Sequence, residues 1–121
     1  MSTKNRIRVA RVYDDPRPED GERILVDRVW PRGFRKDDPR VGRWFKDAAP
    51  SKDLRSWYNH DPQRFDEFVT RYQDELHTPE GREAFQELRD LTKGHTVTLV
   101  TATRDVEGSQ AAVLAKLLNK R

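Results

Sequence analysis

Apolar residues in this chain fall in short blocks whose spacing alternates between every second position and every third or fourth. Ile7 and Val9 alternate with Arg8 and Ala10, which predicts a strand over residues 7–13. Ile24-Leu25-Val26 centres a second strand over residues 23–30. The run Thr96-Val97-Thr98-Leu99-Val100-Thr101 is the clearest strand, β-branched and apolar on both faces. Such a run suits a central strand of a parallel sheet, covered on both sides.

The helical blocks carry their own start signals. Ser51 is an N-cap for a helix with Leu54, Trp57 and Tyr58 at spacings of three and four. Asp61-Pro62 places an acceptor before a proline, the arrangement that opens a helix. The helix behind it sets Phe65, Phe68, Val69, Tyr72 and Leu76 on one stripe, read as core because the opposite face is charged. Thr78-Pro79 repeats the device for a helix lined by Phe85, Leu88 and Leu91 and stopped at Gly94. Gly108-Ser109 opens a last helix, and Pro39 is expected to open a short one containing Trp44 and Phe45. Pro16, Pro18 and Gly21 break the connector between the first two strands, and residues 33–40 read as loop. The order β-β-ααα(α)-β-α points to one small α/β domain over residues 1–121. Nine residues, 14–22, separate the first two strands, fewer than a parallel crossover usually takes, so a long-looped hairpin stays open.

Charged residues make up 37% of the chain and hydrophobic ones 34%, so the core has to be small and the surface ionic. Residues 1–60 hold 15 Lys+Arg against 10 Asp+Glu, whereas residues 61–121 hold 9 against 11. Of the 17 arginines, 11 precede residue 60. Arginine binds anions with fixed geometry, although surface ion pairing accounts for the same excess. The absence of cysteine removes disulfides, thiolate nucleophiles and cysteine-ligated metals. No run is apolar enough for a membrane span and residues 1–5 read as a flexible tail, so a cytoplasmic protein without membrane contact is the expectation.

The most informative stretch is Asp27-Arg28-Val29-Trp30-Pro31-Arg32-Gly33. A buried strand there feeds two arginines and a tryptophan into a Pro/Gly-punctuated loop, where binding sites often form. Together with Arg11-Val12-Tyr13-Asp14, Asp20-Gly21, the run from Ala49 to Tyr58, His60-Asp61-Pro62, Thr98-Leu99-Val100 and Ala111-Ala112-Val113-Leu114, this stretch resembles the YeaO-like proteins, domain-of-unknown-function family 488. The resemblance covers nearly the whole chain. It implies a compact α/β domain with a parallel-type sheet, which favours a short, mainly parallel three-stranded sheet flanked by four to five helices. It implies no established activity. Related members carry Cys and His, or His-Asn-His, after the last strand; here residues 101–110 hold neither thiol nor imidazole.

If the strands run parallel, their carboxyl ends coincide, and ligands in open α/β sheets bind at that edge. Arg28, Arg32 and Arg104 are expected to converge there with Tyr13, Asp14, Asp27 and Trp30, and the helix start at Ser109 would add amide donors. In the structural alternative Asp27 and Arg28 satisfy one another and Arg32 pairs at the surface; for Asp27 and Trp30 that alternative is the stronger. Beside Asp61, His60 is a cap-loop residue first and an acid–base candidate second. The three histidines are too scattered for zinc, and the acidic pairs 14–15, 19–20 and 37–38 match no calcium loop, so neither metal nor cofactor is expected.

Three function classes follow. The favoured one is binding, with turnover left open, of a small anionic or phosphorylated ligand at the arginine-lined edge. The second is nucleic-acid binding through the basic, aromatic-rich segment 28–45, in which Arg32, Arg35, Lys36, Arg40 and Arg43 interleave with Trp30, Phe34, Trp44 and Phe45. The third is a protein-interaction module with Trp44-Phe45 and Trp57-Tyr58 partly exposed. Oligomeric state is undetermined at this level.

Overall fold

A computed structural model describes residues 7–120. The tail expected over residues 1–5 lies outside the described residues. Four strands form one sheet: β1 (Ile7–Arg11), β2 (Glu22–Leu25), β3 (Arg43–Trp44) and β4 (Val97–Thr101). Their order is β1-β4-β2-β3, and every neighbouring pair is parallel. The helices are α1 (Lys52–Tyr58), α2 (Phe65–Leu76), α3 (Pro79–Thr92) and α4 (Gln110–Asn119).

The topology removes the difficulty of the short connector. Strands β1 and β2 are not neighbours, because β4 inserts between them and pairs with both. Residues 12–21 therefore cross the sheet as a loop, with a turn closed by the Asp14 N–H on the Arg11 carbonyl and a short 3-10 turn, Pro18–Asp20, and no crossover helix is needed. Gly21 makes that return possible. It sits at φ 66°, and a Cβ there would lie 2.1 Å from the Thr96 carbonyl oxygen, so only glycine lets the chain enter β2 so close to β4.

The fourth strand replaces an expected element. The short helix predicted behind Pro39 does not form; Arg43–Trp44 instead pairs with Ile24 and Leu25, and the Phe45 N–H donates to the Leu25 carbonyl at 2.8 Å. The unpaired edge of β2 offers a ready ladder there; both residues of this edge strand are exposed, and Phe45 just past it is buried. The first two strands are also shorter than predicted, although single hydrogen bonds from Val12 to Thr101 and from Val26 to Val100 prolong the ladder.

One face of the sheet carries Ile7, Ile24, Val26, Val97 and Leu99, packed with Leu54, Tyr58, Phe68, Tyr72, Leu88 and Leu114 from the four helices. The other face, with Val12, Leu25 and Val100, is covered by Val41, Trp30 and Phe34 from loops. All five residues of β4 are buried, as a doubly covered central strand requires. The helix starts follow the sequence signals. Ser51 Oγ accepts from Leu54, Asp61 from Gln63, Thr78 from Gly81 and Ser109 from Ala112. The Asp61-Pro62 start is a 3-10 turn that leads into α2 at Phe65.

Candidate functional site

The carboxyl ends of β2 and β4 open into a cavity of about 470 Å³. Its floor is Asp27, the second residue past β2. The Asp27 side chain is buried and accepts from the Thr101 hydroxyl at 2.6 Å, from the Ala102 N–H at 2.7 Å and from the Gln110 side-chain amide. One carboxylate thus ties β2, β4 and the first turn of α4 together. Burial pushes its pKa up, against the pull of those three donors and of the nearby Arg55 guanidinium.

One wall is α1. Lys52, Arg55, Ser56 and Asn59 recur at helical spacing and line the cavity, while Leu54 and Tyr58 turn into the core. Arg55 is the notable member: among the described residues its Nε, like that of Arg11 away from this cavity, is buried without a hydrogen-bond partner. Opposite lie Gly108, Ser109 and Gln110 at the start of α4, and His60 completes the lining beyond Asn59. Tyr58 links the walls, since its hydroxyl donates to the Gly108 carbonyl at 2.8 Å.

Of the eight residues expected at the site, Asp27, Arg28, Trp30 and Ser109 line this cavity. Arg28 and Asp27 do not satisfy one another: Arg28 donates to the Pro50 and Ala49 carbonyls at 3.1 and 3.0 Å, which fixes the entrance to α1. The Trp30 indole N–H donates to the Phe34 carbonyl at 2.9 Å. The hydroxyl of Ser109 is occupied as a cap and as a donor to Val106. The other four lie elsewhere, and the expected convergence of Arg28, Arg32 and Arg104 does not occur. Arg32 and Arg104 are exposed and line no part of the cavity. Tyr13 packs on Phe34 with ring centroids 5.2 Å apart, and Asp14 lines a separate polar hollow on the loop-covered face. The cause is strand order. Because β4 separates β1 from β2, the chain leaving β1 crosses the face away from α1, and the loop after Pro31 folds to that same face through Trp30 and Phe34.

Sequence reasoning missed Lys52, Arg55, Ser56 and Gln110. The polar side of α1 was visible as the complement of its apolar stripe, but nothing local says that it faces the end of β2. In the basic segment 28–45, Arg40 pairs with Asp38 and Arg43 with Glu22, each at 2.8 Å. The Trp44 indole donates to the Asp27 carbonyl at 2.8 Å, although the ring remains 39% exposed. Trp57 is half-buried, with the Arg64 and Arg71 guanidinium groups over its ring. Among the described residues no cluster of three or more metal-ligating side chains occurs, and no helix is long and apolar enough to cross a membrane.

Fold and cavity together define a single-sheet parallel α/β domain with a polar cavity at the carboxyl edge of the sheet. The chain belongs to the DUF488 family: the model described as "Inactive DUF488-N3 subclade" matches residues 6–121. It is 62% identical over 121 residues to the uncharacterized protein Rv3073c of Mycobacterium tuberculosis, covering 100% of both chains. It is 37% identical over 114 residues to the uncharacterized protein YeaO of Escherichia coli, covering 93% of this chain and 96% of YeaO. No solved structure matches.

Proposed function

We propose that this domain is a cytoplasmic protein that binds a small anionic ligand in the cavity between α1 and the carboxyl ends of β2 and β4, and holds it without turnover. The observation that carries the reading is Arg55. A buried guanidinium nitrogen without an acceptor costs free energy, and an anion in the cavity would supply the acceptor. Lys52 on the same helix face adds a second cation.

The argument against turnover is chemical. The Ser109 hydroxyl is engaged at the start of α4, the segment after β4 carries no thiol or imidazole, and the Asp27 oxygens are taken by three internal donors. Among the described residues no hydrogen bond pairs a nucleophilic side chain in the cavity with a general base, one of the arrangements that activates a nucleophile. The subclade's description as inactive agrees with this.

The test is thermal unfolding against sulfate, phosphate, nucleotides and sugar phosphates. A ligand at about a hundred times its dissociation constant adds roughly 2.7 kcal/mol of stability. The shift is expected in the wild type and in Arg32→Ala, and is lost in Arg55→Ala. An equal shift in Arg55→Ala would refute the site.

A further inference from the structure

Among the described residues only Asn59 and His60 hold a positive φ without being glycine, at 47° and 57°, and both line the cavity. They are the central pair of a tight turn closed by the Asp61 N–H donating to the Tyr58 carbonyl at 2.9 Å. A turn with positive φ at both central positions favours Asn followed by Gly, because asparagine tolerates the left-handed region and glycine enters it freely. Asn59 is thus explained by the backbone, and it also caps α1 through its N–H to the Arg55 carbonyl. The backbone does not explain His60: it occupies the glycine position and is exposed, its ring lies tilted beside Tyr58 with centroids 6.2 Å apart, and among the described residues no hydrogen bond engages its imidazole. Non-glycine residues held in this region store strain, and such strain gathers at ligand sites.

We infer that His60 is kept in this strained turn as a ligand contact, and that Lys52, Arg55 and His60 together cradle the terminal oxygens of a phosphate monoester. This rests on the anion-site reading above and names its ligand class. A carboxylate is satisfied by one forked guanidinium, whereas three separate donors suit the three terminal oxygens of a phosphate monoester. The charge of Asp27 faces the same cavity, but its oxygens are committed to Thr101, Ala102 and Gln110.

The experiment is calorimetric titration of the full chain with glycerol 3-phosphate, inorganic phosphate and glycerate, alongside thermal unfolding, for wild type, Arg55→Ala, His60→Gly and His60→Ala. The wild type should bind both phosphates, with glycerate at least about tenfold weaker, and Arg55→Ala should lose them. His60→Gly should melt at the same or a higher temperature, because strain is relieved, yet bind phosphate about tenfold or more weakly, the scale of a lost charge-assisted hydrogen bond. His60→Ala should lose the same affinity without the gain in Tm. Wild-type affinity in His60→Gly beside lost binding in Arg55→Ala would overturn the inference and leave the anion site standing. A fall in Tm for His60→Gly would make the residue structural and overturn the inference, and equal binding of glycerate would overturn the phosphate class. Phosphate binding unaffected by Arg55→Ala, or absent from the wild type, would remove the anion site and the inference with it.

Discussion

Asp27→Ala tests whether one carboxylate holds the cavity floor together. The substitution orphans three donors at once: the Thr101 hydroxyl, the Ala102 N–H and the Gln110 amide. At a net of about 1 kcal/mol for each hydrogen bond, the loss is about 3 kcal/mol. Removing a buried carboxylate returns part of it, so the expected destabilisation is about 2–3 kcal/mol, or a Tm lower by about 8–12 °C. Urea denaturation reads this as a lower midpoint with an unchanged slope. Gln110→Ala should add little on the Asp27→Ala background, because its partner is already gone. The pH dependence has a definite sign. Burial raises the folded-state pKa of Asp27 above its ordinary 3.8, so this group's contribution to stability is fully present below 3.8 and declines as pH rises through the folded value. The gap between wild type and Asp27→Ala should therefore narrow as pH rises through that window. A destabilisation below about 1 kcal/mol, or full additivity with Gln110→Ala, would refute the reasoning.

Other substitutions probe the frame. Arg23 is buried and donates to the Asp20 carboxylate at 2.9 Å and to the Arg40 and Asp14 carbonyls at 2.8 and 2.9 Å, so Arg23→Ala should cost about 3–5 kcal/mol in chemical denaturation. Burial alone would raise the Asp20 pKa, but hydrogen bonds from the Arg17 N–H and from Arg23 overcome it and hold the pKa below 3.8; its stabilisation is present above 3.8 and lost as pH falls through the folded value, a loss that acid titration of Arg23→Ala should show diminished. Gly21→Ala meets both a left-handed backbone and the Thr96 carbonyl, and should cost at least about 1–3 kcal/mol in the same denaturation assay.

The sequence by itself determined the elements whose causes are local. Ser51, Asp61, Thr78 and Ser109 each place a side-chain acceptor one residue before a helix, and capping needs nothing further than three residues away. The run ending at Thr101 declared a doubly buried strand because both of its faces are free of charge. Asp27, Arg28, Trp30 and Ser109 were legible as cavity residues because they follow directly from strand ends or a helix start. Tertiary structure decided the rest. The strand at Arg43–Trp44 exists only because β2 presents an unpaired edge, so proline and aromatic signals misread it as helix. Insertion of β4 between β1 and β2 separated Tyr13 and Asp14 from the cavity, and no local pattern encodes strand order. Arg55 faces the cavity because α1 packs its apolar stripe inward over the sheet, which leaves its polar side toward the end of β2. Period and caps depend on neighbours a few residues apart, whereas the meeting of Asp27, Arg55 and Gln110 depends on contacts up to 83 residues apart, which only the packed core brings about.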